Sequence, residues 1–244
     1  MFVVFAKKCY IWKLKTIAFN SNSTMKQENI TPKEITIRPL KSVEGLAGDQ
    51  VRSLMLAEGE AIKVDCLNWP DYPYAPNVDC RVAYTPEALV VMFDVEESHV
   101  KAVTLENNGP VWEDSCVEVF VANPCGEGYF NFEVNCIGAL LAASRRSRTE
   151  ANMFDAERLA KVCRYGSLPH EKVDSKGDGQ RWWMVEIIPF EVLGLEGAPE
   201  QLRANFYKCG DNCERTHFLS WSPIGLPTPN FHCPDFFGAI KLSK

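Results

Sequence analysis

Glu118 and Glu133 stand inside two strand-like runs, SCVEVFV and YFNFEVN. Side chains along a strand alternate between its faces. Parity puts Val117, Val119 and Val121 on one face of the first run, with Cys116, Glu118 and Phe120 on the other. In the second run Phe130, Phe132 and Val134 share a face, opposite Tyr129, Asn131, Glu133 and Asn135. In RANFYKC, Asn205, Tyr207 and Cys209 lie opposite Ala204 and Phe206. If these strands are neighbours, one sheet face presents Glu118, Asn131, Glu133, Asn135, Asn205 and Tyr207. Asparagine is a poor strand former, so three on one face ask for a reason.

Loops add aromatics. Trp112 sits in NNGPVWEDS, Phe231 and His232 in LPTPNFHCPDFFG, and Trp69 and Tyr72 in NWPDYPY. Two rings facing each other over the polar strands would form a slot for a flat, hydroxyl-rich ligand. The rings would take its C–H face, and the amides and carboxylates its hydroxyls. The same two acids could instead hydrolyse a sugar bond, given a suitable separation. An antiparallel sheet can also leave a polar face in solvent, and a loop Trp can simply pack over the sandwich edge.

Other chemistries have weaker signals. Cys209, Cys213 and His217, with His232 and Cys233 further on, have spacings a zinc site could use. They fit equally well as a hairpin with incidental thiols. Met92 with one of His99, His170, His217 or His232 could ligate haem, but no CxxCH is present. Neither a G-x-S-x-G elbow nor an H-E-x-x-H run occurs.

The elements that would position these residues are strands. EITIRPL, AIKVDCL, CRVAYT with ALVVMFDV, SCVEVFVAN with GYFNFEVNC, GALLAASRRS, RLAKVCRYG, RWWMVEIIPF, LRANFYKCG, HFLSWSP and FGAIKLS all read as strands. GDQVRSLMLAEG reads as a helix with Val51, Leu54 and Leu56 on one side, and SKGDG at 175–179 as a hairpin tip. No βα alternation appears. The expected fold is all-β: a two-sheet antiparallel β-sandwich of immunoglobulin-like or jelly-roll-like kind, with one or two short helices.

Composition agrees. At 46% apolar and 24% charged, the 244 residues can fill a core. A net charge of −6 argues against a nucleic-acid surface. No apolar run is long enough for a membrane span. The ten cysteines read mostly as free thiols, which favours a reducing compartment.

VWEDSCVEVFV followed by YFNFEVN, ANFYKCGD, FLSWSP and PNFHCPDFFGAIKL resembles carbohydrate-binding module family 9, in a subtype found in bacterial genomes within the DOMON-like sandwich superfamily. The resemblance runs from about Ile62 to Leu242. It implies a sandwich that binds glycans, often at a chain end, between two aromatic platforms. The platforms match Trp112 and Phe231, the latter a Trp in characterised members, and the sugar-binding carboxylate matches Glu118. A family Gln falls at Asn131, a family Arg at Glu133, and a loop Asn near Thr228 or Asn230. Family members also bind structural calcium, for which Asp71, Glu113 and Asp114 are the candidates.

The expectation is a single domain over residues 33–244 that binds a mono- or oligosaccharide without catalysis. The candidate site is Trp112, Glu118, Asn131, Glu133, Asn205, Tyr207, Asn230 and Phe231, with no required cofactor. A glycoside hydrolase partner is compatible with this; nucleic acid and membrane are not expected. The alternatives are a hydrolase using Glu118 and Glu133, or an interaction sandwich whose slot has decayed. Residues 1–32 read as an extension, with scattered Lys where a signal peptide would carry an unbroken apolar core. The cytoplasm is therefore the expected location, with secretion and the periplasm left open.

Overall fold

The computed structural model describes residues 30–243. The extension expected at 1–32 falls outside them apart from its last three positions.

The strands are β1 (Glu34–Ile37), β2 (Glu60–Lys63), β3 (Cys66–Leu67), β4 (Asn77–Tyr84), β5 (Ala88–Ala102), β6 (Cys116–Ala122), β7 (Tyr129–Asn135), β8 (Leu140–Arg145), β9 (Ala151–Met153), β10 (Cys163–Gly166), β11 (Val173–Pro189), β12 (Gln201–Cys209), β13 (Phe218–Ser220) and β14 (Gly238–Leu242). Two helices, α1 (Gly48–Glu58) and α2 (Ala156–Lys161), join them. One sheet of nine strands runs β1-β14-β12-β6-β7-β8-β9, with β13 beside β12 and β3 beside β13. The second sheet, of five strands, runs β10-β11-β5-β4-β2. This is the expected two-sheet sandwich with short helices. Pairing is antiparallel apart from β1 on β14.

The alternation read in the sequence decides the core. Val117, Val119, Phe130, Phe132 and Val134 meet Leu89, Val91 and Phe93 of the other sheet in the inter-sheet cluster. A one-residue slip would send all of them outward, so burial fixes the register. Gly128 closes the β6–β7 turn at φ 89, where a Cβ would come within 2.2 Å of the Arg145 carbonyl oxygen. Glycine there lets β8 approach the turn.

Three local readings change. RLAK forms the end of α2, because Asp155 caps its start and accepts from the Arg158 N–H at 2.9 Å; only CRYG continues as strand. The segment 175–179 is no hairpin tip. It lies within β11, where residues 177–179 bulge out while β5 pairs on both sides of them. Gly177 and Gly179, both at positive φ, make that bulge possible. In α1 the buried residues are Val51 and Met55, one turn apart, while Leu56 is exposed.

Candidate functional site

The outer face of the nine-stranded sheet is neither solvated nor polar throughout. Loops cover much of it, forming a second apolar cluster that includes Trp69, Phe120, Tyr129, Tyr207, Phe231 and Phe237. Within this cover a cavity of about 330 Å³ opens over the sheet. Its floor carries Glu118 and Glu133, which stand directly opposite each other across β6 and β7. Trp112, Asp211, Phe218, Asn230, Phe231 and His232 form its walls, and Arg145 and Arg148 one rim.

Each wall is held. Trp112 lies in a 3-10 turn, Val111–Glu113, whose carbonyls accept from Asp211 N–H at 3.2 Å and Asn212 N–H at 3.0 Å. The indole stays 37% exposed. Phe231 is only 9% exposed. One face of its ring stacks on Tyr207, with centroids 4.1 Å apart and planes 10° apart. The Tyr207 hydroxyl donates to the Phe231 carbonyl at 3.2 Å. Trp69 packs against Phe231 and anchors the same loop by donating to the Leu226 carbonyl at 2.9 Å. Phe231 is thus a buried wall with one face covered, whereas Trp112 is the open platform.

The floor is acidic without an ion pair among the described residues. Burial and then the neighbouring Glu133 push Glu118 well above the usual carboxylate range. Burial lifts Glu133 to about 7, against the lowering influence of Arg145. Asp211 rises to about 6, again chiefly through burial. The Cys209 thiol, held in its protonated form by hydrogen bonding with Cys116 and by burial, donates to Glu118 Oε1 at 3.2 Å. His232 falls to about 3 through burial and the two arginines, so its ring is neutral, and it shares a 2.8 Å hydrogen bond with Tyr129.

Of the eight candidate residues, Trp112, Glu118, Glu133, Asn230 and Phe231 line the cavity. Asn131, Asn205 and Tyr207 share the face but lie beneath it. Asn131 donates to Glu133 Oε1 at 2.9 Å and accepts from Arg145 Nε at 2.7 Å, which fixes both neighbours. Asn205 is used up on the chain after β13, bonding both N–H and carbonyl of Ser222. Tyr207 backs Phe231. Asn230 accepts from the His232 N–H at 2.9 Å through its side-chain oxygen, and its amide nitrogen has no partner among the described residues.

Sequence reasoning missed Arg145, Arg148 and Asp211. It placed the family's basic residue at Glu133, a reversal of charge; Arg145, which faces Tyr129 across β7 and β8, brings a cation to the same wall. Parity within LLAASR could have found it, since Leu141, Ala143 and Arg145 share the outer face.

The metal candidates do not fit calcium. Both Asp114 oxygens accept from N–H donors: Val103 at 2.9 Å, Thr104 at 3.1 Å and Asn135 at 2.9 Å. Those N–H groups would face any cation there. Glu113 is taken by Asn212, and Asp71 sits on a separate exposed loop. The zinc and haem readings gain no geometry either. His217 bonds Lys208, His232 bonds Tyr129, and the one metal-like cluster among the described residues is Cys116, Glu118 and Cys209.

A family profile described as carbohydrate-binding family 9 matches residues 49–242. A crystal structure from Bacteroides uniformis ATCC 8492, described as a candidate carbohydrate-binding protein, is 36% identical, covers 87% of this chain and 100% of its own, and superposes with a TM-score of 0.83. A family 9 module from Caldicellulosiruptor kristjanssonii, solved with glucose, is 16% identical over 86% of this chain and 96% of its own, with a TM-score of 0.56. The same description with cellotriose gives 16% identity over 86% and 93%, and 0.55. At that identity the likeness is one of fold. No match is found among curated proteins.

Proposed function

Because the chain belongs to carbohydrate-binding family 9, we propose that the outer-face cavity holds a sugar and leaves its bonds intact. The observation that carries this reading is the Glu118–Glu133 pair at the floor of a cavity walled by Trp112 and Phe231. The Trp112 ring takes the C–H face of a pyranose. Glu118, Glu133, Asp211 and the free amide of Asn230 take its hydroxyls. Carboxyls that share no ion pair with the protein keep their hydrogen-bonding capacity for the ligand. Asn131 and Tyr207 act behind the surface, one orienting Glu133 and the other supporting Phe231.

Hydrolysis is disfavoured by position. Glycosidases flank the scissile bond with two carboxyl groups. Glu118 and Glu133 stand side by side on one sheet face, so a sugar lying over them meets both from the same side. Burial also drives both toward the neutral form, whereas the second carboxyl of a glycosidase must be ionised. A hydrolase acting on the held glycan would then be a separate partner.

At roughly 0.3 kcal/mol per heavy atom, a disaccharide of about 23 heavy atoms reaches a Kd near 10 μM at best. With one face of Phe231 already covered, a value of about 0.1–1 mM is expected. A glycan array followed by calorimetry on the best hit tests the reading. Wild type should bind, Trp112→Ala should lose detectable binding, and chromatography of the incubated glycan should show no cleavage. Equal binding by Trp112→Ala would move the site elsewhere. Cleavage that disappears in Glu118→Gln would make the protein an enzyme.

A further inference from the structure

Cys116 and Cys209 stand directly opposite each other on β6 and β12. Glu118 follows two positions along the same outer face, opposite Tyr207. The two sulfurs and a Glu118 carboxylate oxygen all lie within 4.8 Å of one another. Cys209 Sγ is 3.2 Å from Glu118 Oε1. Tetrahedral zinc, with sulfur at about 2.3 Å and carboxylate oxygen at about 2.0–2.2 Å, sets its donors roughly 3.5–3.8 Å apart. Closing the trio around such an ion changes its separations by about 1 Å at most. The trio shares only Cys209 with the set that sequence spacing suggested, and unlike that set it converges.

The hydrogens around these donors can leave. At Asp114 both oxygens accept from N–H groups, whose protons stay when a cation arrives. Here the protons belong to thiols: Cys209 donates to Glu118 Oε1, and Cys116 to the Val117 carbonyl at 3.6 Å. Burial pushes the Cys116 thiol up to about 12, and hydrogen bonding with Cys116, together with burial, holds Cys209 well above its usual value. Metal binding therefore passes two thiol protons to solvent, and the sulfurs ligate as thiolates. The surroundings favour a cation. The rim arginines bear on Glu133, whereas the leading charges beside Glu118 are those of Glu133 and Asp211. Two thiolates select a zinc-like ion over calcium or magnesium. Glu118 and Cys209 also line the cavity, so a fourth position faces open space, as in zinc sites with three protein ligands.

We propose that Cys116, Cys209 and Glu118 bind one thiophilic divalent cation of the zinc type, with its fourth position open to the cavity. This goes beyond sugar binding, and its test uses no glycan, so neither reading stands or falls with the other. The full chain, stripped with a chelator and kept reduced by a phosphine, is titrated with Co²⁺ and then Zn²⁺. Cobalt should give a sulfur-to-metal charge-transfer band that saturates at one ion per chain, and zinc should displace it. Cys116→Ser and Cys209→Ser should each remove the band and weaken zinc by more than the roughly 10–100-fold typical of losing a partner behind a ligand. Cys125→Ser with Cys163→Ser, at the two exposed thiols, should leave band and affinity unchanged. X-ray absorption at the zinc edge of wild type should count two sulfur ligands, a readout that holds even where a variant fails to fold. No band, a band that survives in Cys116→Ser and Cys209→Ser, or a sulfur count other than two would overturn the site.

Discussion

Glu97 and Glu118 are each 3% exposed, yet the protein treats them differently. Glu97, on β5, faces into the sandwich. Lys208 Nζ from β12 lies 3.0 Å from one of its oxygens, and Trp182 Nε1 donates to the other at 2.6 Å. Lys208 also donates to the Cys209 carbonyl at 2.8 Å and to His217 Nε2 at 2.7 Å. Burial works against the ammonium, but Glu97 and the nearby thiols outweigh it and hold Lys208 above its usual range. Burial, and Lys208 beside it, keep His217 well below its usual value and neutral. This network supplies its own counter-charge. Glu118 and Glu133, outside the same sheet, get an amide and a thiol but no cation in ion-pair contact. A buried acid that the fold neutralises is structural; a buried acid the fold leaves open to a cavity is available to a ligand.

Removing the cation tests the inner half of the contrast and has the largest effect. Lys208→Met leaves a buried carboxylate unpaired and should cost about 3–5 kcal/mol in urea unfolding. Adding Glu97→Gln should recover part of that. A single variant as stable as wild type would show that the network balances nothing.

The outer half predicts a pH dependence. The folded value of Glu133 is about 7 against an ordinary 4.5, so between these the folded protein binds the proton more tightly than the unfolded chain. Its contribution is intact below about pH 4.5 and lost as pH rises through about 7, amounting to about 3 kcal/mol. Glu118 acts in the same direction. Tm should therefore fall from pH 5 to pH 8, and Glu133→Gln should flatten the fall. An unchanged slope in the variant would assign it to other groups.

Trp112→Ala should weaken glycan binding by about 2 kcal/mol, since the stacked aromatic face is lost, while Tm moves by little. A large drop in Tm would make Trp112 part of the cover, like Phe231.

Glu186 supplies the third case. It is 0% exposed, neither oxygen has a hydrogen-bond partner among the described residues, and burial holds it well above its usual value. It has neither the partners of Glu97 nor the cavity of Glu118. Glu186→Met should raise stability by about 1 kcal/mol. A loss in thermal melts would mean the carboxyl is doing something the other two do not.

Strand parity made much of this legible. It separated the valine and phenylalanine face from the Glu118 face, and Trp112 and Phe231 were readable as loop aromatics beside it. It also contained Lys208, which shares the face of Ala204 and Phe206, and an inward lysine implies a buried acid. Arg148 and Asp211 were not legible, because a turn side chain finds its place through strand order, which a single sequence does not fix. Nor did parity tell Glu118 from Asn131: it assigns a face but not a depth. The loops that bury Asn205 and Tyr207 and leave Glu118 open come from distant parts of the chain. The bulge at 177–179 was hidden for a related reason, since glycines at positive φ look alike in a turn and in a bulge.

The two walls of the cavity differ in how freely selection can revise them. Phe231 is held among Tyr207, Trp69 and Phe218, so any exchange there that changes the ligand also disturbs the packing of the outer cover. Trp112 stands on a turn fixed through backbone atoms, with its ring mostly outside the packed cluster. Drift in sugar preference among relatives should therefore concentrate at the Trp112 position and along the Arg145 rim, while the Phe231 side stays apolar whatever the ligand.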